Sequence, residues 1–426
     1  LVRDCRDFIK KYDGVEGFSV YGNERYVYQY ISDKYPEQEI KFDINKVGLV
    51  TMDIEVQSEE GFPSPDSCSE EMLSISIQDY ATKQITTWGR HPYTPSQKNV
   101  TYHYHSDEIA MLEAFLYWWE QNTPDVVTGW NVRLYDIPYL CGRMSRMGEK
   151  KMKQLSPWKI VDHEVIGISG RDYNIYSISG VTTLDYLELY KKFTYVNRES
   201  YRLDFIAEVE LGQKKLDHSE YDTFKDFYTK NWKKFIDYNI VDVELVDRME
   251  DKMKLIELAL TMAYDAKVNY VDVMFQVRMW DTIIYNYLKK RNIVIPPKDR
   301  SDKSDKFAGA YVKEPKPGVY DYVVSFDLNS LYPHLMMQYN ISPETLVDEK
   351  HPNATVEKIL DEKLNFELYS DYAVCANGAM FRKDIKGFLP ELMEKMYGDR
   401  KVFKGKMLKA KQKLVDIEAE MKRRGI

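Results

Sequence analysis

Cysteine is scarce and unpatterned. The 426 residues contain four, Cys5, Cys68, Cys141 and Cys375, and no two stand at CxxC spacing. That argues against a thiolate zinc site and a disulfide framework, and it fits a reducing compartment. Long apolar runs are also missing, and no signal peptide is recognisable, so neither membrane insertion nor secretion is expected. A surplus of positive charge is lacking too. Lys and Arg number 60 against 68 Asp and Glu, a net charge of -8. Such a balance does not advertise a nucleic-acid binder, yet a metal site concentrates acids while basic grooves stay local. Tyrosine, by contrast, is abundant at 34, and its apolar body with a polar tip suits cores, interfaces and nucleic-acid grooves alike. The length suits two or three domains with a well-buried core. The chain opens on Leu1 rather than Met and closes on Gly425-Ile426 directly after a charged helical run, so both ends read as cut.

The stretch Val47-Gly-Leu-Val-Thr-Met-Asp-Ile-Glu55 has the composition of a buried strand and ends in two acids. Alternate strand residues share a face, so Asp53 and Glu55 point the same way and Ile54 points into the opposite layer. Paired carboxylates repel unless a cation sits between them, and hard divalent ions take oxygen ligands of this kind. A strand running out into a solvated acidic loop is the alternative at this point.

Residues 1 to about 46 mix aromatic and charged residues, with strand-like runs at Phe18–Tyr21 and Arg25–Tyr28. From Val47 to about Lys254 the pattern is that of one α/β unit. Met72–Ile77, Ile85–Trp88 and the stretch around Tyr102 and Tyr104 read as strands. A helix follows from about Asp107 with Ile109, Leu112, Phe115, Leu116 and Trp119 on one face, and then a buried strand near Val126. Asp136 stands after that strand and before Pro138, where a plain helix cap is the simpler reading. Phe235–Val246 is helical, and Tyr238 and Asp242, four apart, share a face. The run Lys159–Ile178, turning at Gly170-Arg-Asp172, reads as a hairpin. Asp185 and Asp204 are not assigned to a metal. The apolar pattern of Val271–Lys290 (Val273, Met274, Val277, Met279, Trp280, Ile283, Ile284 and Leu288) reads as core, and Arg300–Lys306 as a polar linker.

Asp-x-Glu on a strand, Asn-x(4)-Asp after a later strand and Tyr-x(3)-Asp on a helix resemble, in that order, the three motifs of DEDD-type 3′→5′ proofreading exonucleases with a tyrosine. The resemblance implies that Asp53, Glu55, Asp136 and Asp242 are ligands for two Mg²⁺ (or Mn²⁺) ions, and that Tyr238 orients the attacking water. Phosphodiester hydrolysis suits such a set, because charge develops on both the attacking and the leaving oxygen and two ions about 4 Å apart stabilise both.

Further along, Val323-Val-Ser-Phe-Asp-Leu-Asn-Ser-Leu-Tyr-Pro-His334 reads as a buried strand ending in Asp327, a tight turn and a helix with Pro333 near its start. The string resembles motif A of family B DNA polymerases, particularly their phage branch. The resemblance implies that Asp327 and the Leu328 backbone hold metal. It also places Leu328, Asn329, Ser330, Leu331 and Tyr332 at the nucleotide, with Tyr332 excluding a ribose 2′-OH. From about Phe388 a basic helical run follows, which without context is a solvated face. Asp399-Arg-Lys-Val-Phe-Lys-Gly-Lys-Met407 resembles the family's first fingers helix, implying that Arg400 and Lys404 grip a triphosphate. Phe307-Ala-Gly-Ala-Tyr-Val-Lys-Glu-Pro315 partly resembles the family's Tyr-x-Gly-Gly/Ala region, implying DNA contact at Gly309 and Tyr311. The second fingers motif and the palm motif Tyr-x-Asp-Thr-Asp are not found.

The expected fold class is therefore α/β and α+β multidomain: a ribonuclease H-like 3′→5′ exonuclease domain followed by part of a family B polymerase palm and the start of the fingers. The expected boundaries are 1–47 for a partial N-terminal domain, 48–254 for the exonuclease, 255–298 for a helical return to the N-terminal domain, 299–387 for the palm and 388–426 for the fingers. The expected partners are primer-template DNA, single-stranded 3′ ends, dNTPs and, through segments not found here, a sliding clamp and replisome proteins. The expected setting is the cytoplasm of a bacterial host infected by a large tailed phage. A stand-alone exonuclease, which needs no motif A, and a non-catalytic nucleic-acid-binding module, which needs no set of four acids, are the alternatives.

Overall fold

The computed structural model describes residues 2–425, apart from 19, 22–24, 37–41, 59–60, 169, 296–312 and 366. Gly309, Tyr311 and the whole stretch expected to be a linker, Arg300–Lys306, lie outside the described residues. The chain divides into two compact units, Leu1–Ser304 and Asp305–Ile426.

The first unit begins with α1 (Val2–Tyr12) and α2 (Tyr26–Lys34). The strand expected at Arg25–Tyr28 is thus a helix. Its buried residues, Tyr28 and Ser32, stand one helical turn apart, and the Tyr28 hydroxyl donates to Asp272 Oδ2 at 2.5 Å. No strand forms at Phe18–Tyr21 among the described residues. Four strands follow: β1 (Leu49–Val56), β2 (Met72–Asp79), β3 (Ile85–Gly89) and β4 (Val100–Tyr104). Then come α3 (Glu108–Gln121), β5 (Val126–Thr128), α4 (Asp136–Met147) and α5 (Glu149–Lys153). The hairpin β6 (Val161–Ile168) and β7 (Arg171–Ile178) forms as expected and pairs from Val161↔Ile178 to Ile168↔Arg171. After β8 (Thr182–Thr183) the chain is helical: α6 (Tyr186–Phe193), α7 (Leu203–Leu211), α8 (Phe224–Lys230), α9 (Trp232–Met253), α10 (Leu255–Ala266) and α11 (Gln276–Lys290).

The main sheet runs β4-β3-β2-β1-β5-β8. β1 pairs antiparallel with β2 and parallel with β5, so it is central. Val50, Met52, Ile54 and Val56 pack on one face with Phe115, Trp119, Leu140 and Met144 from α3 and α4. The other face carries Asp53 and Glu55 and faces α9. Burial on both faces explains why the strand is so apolar up to its acids. In α3 one expected core residue is displaced: Ile109 is 58% exposed, whereas Glu108 is buried. Glu108 is tolerated there because the Arg143 guanidinium pairs with it and the Met72 N–H donates to it at 2.8 Å. In α11, Thr282 is the buried residue, Val277 is 73% exposed, and Met279 and Ile283 pack only at the margin of a core. The helix itself is half-covered rather than core, whereas Val273, just before it, is buried as expected and Met274 packs against the same core.

The second unit contains α12 (Leu331–Gln338), α13 (Val356–Leu360), the small hairpin β9 (Tyr372–Val374) and β10 (Met380–Arg382), and α14 (Phe388–Arg424). The buried strand expected before Asp327 is absent. Val323, Val324 and Phe326 are 75%, 68% and 92% exposed, and no ladder forms along them. A strand exists only as a member of a ladder, and no described segment pairs with this one.

Candidate metal-dependent nuclease site

β1, β5 and α9 bring the acids together. Beyond β5 the chain must cross close to β1, and Gly129 permits this, because a Cβ there would stand 2.4 Å from the Met52 carbonyl oxygen. The segment 131–133 is then pinned by Asp185, which accepts from the Asn131 and Arg133 N–H groups at 3.3 and 3.0 Å and also caps α6. Asp185 thus serves as scaffold. The turn delivers Asp136 to the first position of α4. Asp136 does not cap that helix, since Tyr135 is its N-cap residue. Instead its Oδ1 accepts the Ile54 N–H at 3.0 Å, between Asp53 and Glu55 in the chain.

Asp53, Glu55 and Asp242 each offer a carboxylate oxygen, and these oxygens lie within 4.8 Å of one another. Asp53 and Glu55 are half-buried, while Asp136 and Asp242 are buried. Asp136 is not in the three-oxygen cluster, but its charge acts on both Asp53 and Glu55. Burial and then the neighbouring acids push these groups up: Glu55 to about 8, with Asp242 the strongest neighbour, and Asp53 well above the usual carboxylate range. Burial also raises Asp136 to about 7, against the pull of the Ile54 N–H. Asp242 is raised by burial, while Lys215 draws it back.

Three residues of this site carried no signal in the sequence. Lys215 pairs with Asp242 Oδ2 and donates to the Tyr238 hydroxyl at 3.1 Å. Burial works against its charge, yet Asp242, Tyr238 and Asp53 hold its pKa well above the ordinary lysine value. It sits in an irregular segment with no periodicity to mark it. Asn239, beside Tyr238 on α9, donates to Asp53 Oδ2 at 2.7 Å. The His218 ring packs edge-on against Tyr238, with centroids 5.5 Å apart. The Tyr238 phenol is raised by burial and by Asp242, which favours its neutral, protonated form.

A divalent cation fits this donor set. Asp242 Oδ1 is buried with no hydrogen-bond partner among the described residues, and an orphaned carboxylate oxygen inside an acid cluster is costly unless a cation meets it. The sign of the pH effect follows. The folded-state pKa values of Glu55 and Asp136 are raised, so their contribution to stability is full below about pH 4 and is lost as pH rises through about 7 to 8. The thermal midpoint of the metal-free protein should therefore fall by several degrees, on the order of 5 °C, between pH 5 and pH 8. Mg²⁺ or Mn²⁺ should reverse the fall. Differential scanning calorimetry with EDTA and with added metal checks this. A midpoint that rises with pH in EDTA contradicts it.

In the second unit, Asp327 and Leu328 are exposed, Ser330 is left-handed (φ 52°) as N-cap of α12, and Tyr332 is 71% exposed. Arg400 Nη1 donates to Ser330 Oγ at 3.3 Å, and the His334 and Tyr397 rings meet edge to face at 4.7 Å. The basic helix and the Asp327–Tyr332 string are thereby adjacent. Lys404 is exposed one turn beyond Arg400. Asp327 joins no cluster of metal-ligating groups among the described residues.

Carboxylates from a central strand and a packed helix, gathered beside a half-buried ammonium and a phenol, make a site suited to metal-dependent phosphodiester chemistry. The chain belongs to DNA polymerase family B. The family's exonuclease-domain model matches residues 24–206, and its polymerase model matches residues 275–420. Lys215, Tyr238 and Asp242 lie between these ranges; the Tyr-x(3)-Asp spacing marks the last two, and the geometry adds Lys215. The chain is 35% identical to the DNA-directed DNA polymerase of Escherichia phage RB69, over 96% of this chain and 48% of that protein. It is 33% identical to that of Enterobacteria phage T4, over 95% and 47%, and 23% identical to the DNA polymerase of Pyrococcus glycovorans, over 89% and 45%. The chain thus spans about half the length of the curated relatives it matches. No helix among the described residues is long and apolar enough to cross a membrane.

Proposed function

We propose that this chain is the exonuclease-bearing part of a phage replicative DNA polymerase and that its first unit hydrolyses DNA from the 3′ end. The convergence of Asp53, Glu55 and Asp242 within 4.8 Å, beside Lys215 and Tyr238, carries the reading. Asp53, Glu55 and Asp242, with Asp136 alongside, hold Mg²⁺ or Mn²⁺, two ions by family resemblance. Bound there, divalent ions supply a hydroxide nucleophile near neutral pH and neutralise charge on the attacking and leaving oxygens. Tyr238 donates from its phenol to the attacking water or a phosphate oxygen. Lys215 holds that phenol in place and provides a fixed positive charge where the phosphorane-like transition state gains negative charge. The ribonuclease H-like assignment of the sheet, the palm and fingers assignments of the second unit, and a setting in an infected bacterial host belong to the same reading.

In the second unit, Asp327, Leu328 and Tyr332 are the metal- and nucleotide-contacting residues of the polymerase reaction, and Arg400 and Lys404 bind the triphosphate. The contact of Arg400 with Ser330 supports that grouping. Gly309 and Tyr311 contact DNA. One palm carboxylate does not hold a two-metal site, so this chain alone should add no dNTP to a primed template. A gel-based primer-extension assay with the purified chain checks this, and measurable extension contradicts it.

The exonuclease reading is tested with a 5′-labelled single-stranded oligonucleotide, incubated with Mg²⁺ or with EDTA. A metal-dependent ladder shortening from the 3′ end is expected. An intact oligonucleotide with folded, metal-bound protein overturns the reading.

A further inference from the structure

We infer that Asn239 is a positioning residue for the metal site, held in one amide orientation by two serines so that it fixes the rotamer of Asp53. This inference rests on the proposed function, since it concerns how Asp53 meets a metal. The placement follows from register. Across the β1–β2 ladder, Asp53 faces Ser76 and Glu55 faces Ser74, and Ser76 in turn faces Thr87 on β3. These side chains form a polar row across the sheet face on which α9 lies, amid otherwise apolar packing. All three hydroxyl-bearing residues and Asn239 are fully buried, so every polar hydrogen among them needs an acceptor.

The hydrogen bonds have one self-consistent arrangement. The amide NH₂ of Asn239 faces Asp53, donating from Nδ2 to Oδ2 at 2.7 Å. The Asn239 carbonyl then faces the sheet, where Ser74 Oγ and Ser76 Oγ donate to Oδ1 at 3.1 and 2.6 Å. Ser76 has spent its proton, so Thr87 Oγ1 donates to Ser76 Oγ at 2.8 Å. The chain Thr87→Ser76→Asn239→Asp53 thus runs in one direction and ends on a carboxylate oxygen. Oδ2 is held from behind, and no described donor reaches Oδ1, which remains for the metal. Asn239 also stands three residues before Asp242, on the same helix face. The helix that supplies one ligand therefore orients another from the central strand.

Partners behind metal ligands typically set affinity by about 10- to 100-fold. The test is Mn²⁺ binding to the full chain, followed by electron paramagnetic resonance of free Mn²⁺ and by calorimetry, with folding confirmed by circular dichroism. Asn239→Leu should weaken binding by about 10-fold or more. Ser74→Ala with Ser76→Ala, which keeps the amide but frees it to rotate, should weaken it in the same direction by a smaller factor. In an Asp53→Ala background, Asn239→Leu should add nothing, because the two act through one bond. Wild-type affinity in Asn239→Leu overturns the inference, as does an equal loss with and without Asp53. A wild-type protein that binds no Mn²⁺ overturns the proposed function and this inference together, whereas intact wild-type binding with an unaffected Asn239 variant overturns the inference alone.

Discussion

Replacing Asp53 and Glu55 together by alanine is expected to reduce metal-dependent trimming by about 10³-fold or more while raising the thermal midpoint of the metal-free protein. The two effects have opposite signs for one physical reason. In the absence of metal these are half-buried acids that repel one another and Asp242, and their removal relieves that repulsion. In the presence of metal the same charges are the source of affinity, and losing several kcal/mol of transition-state stabilisation is worth about a factor of ten for each 1.36 kcal/mol. Residues held only for structure behave otherwise, losing stability and activity together. Single-turnover hydrolysis of a labelled oligonucleotide, beside calorimetry in EDTA at pH 8, measures both. A variant that keeps its rate, or that loses stability in EDTA, contradicts the assignment.

The strand-borne acids were legible because a period of two in an apolar run fixes which side chains share a face. Tyr238 and Asp242 were legible because i and i+4 meet on a helix. Both are local rules. What the sequence hid depends on register between segments far apart in the chain. Asn239 meets Ser74 and Ser76 only through the way α9 crosses the sheet, and Lys215 arrives from an irregular segment. The helix cap favoured at Asp136 failed for the same reason: its carboxylate bonds to the backbone of β1, 82 residues away. Glu108 displaced Ile109 from the buried face of α3 because Arg143 on α4 pairs with it, again a contact between elements. The strand expected before Asp327 shows the converse limit, because composition specifies a segment able to pair but does not supply its neighbour. Likewise Arg25–Tyr28 alternates well enough for a strand, yet the bond from Tyr28 to Asp272 belongs to a helix.

Lys215→Met should destabilise the metal-free protein by about 3–5 kcal/mol at pH 8 and by much less at pH 5, since breaking a buried pair leaves its partner an uncompensated charge. Asp242 is buried, and Lys215 pulls its pKa down against the burial that raises it. Without the ammonium, Asp242 escapes the penalty by taking up a proton, which is easy at pH 5 and costly at pH 8. Saturating Mg²⁺ supplies the missing positive charge and should return most of the stability, while trimming stays slower than wild type by about 10²-fold, the usual cost of losing one preorganised donor. The separation of these two readouts is what distinguishes the possible roles. If Lys215 only occupied the place of a cation at Asp242, Mg²⁺ would restore both, and the rate could exceed that of the wild type because no ammonium would compete. If Lys215 orients the Tyr238 phenol, through the 3.1 Å bond from its Nζ, Mg²⁺ restores the fold but not the rate. Lys215→Arg keeps the charge but alters the reach and should retain stability better than rate. Full activity of Lys215→Met at saturating Mg²⁺ would remove Lys215 from the catalytic step and leave it as the counter-ion of the metal-free state.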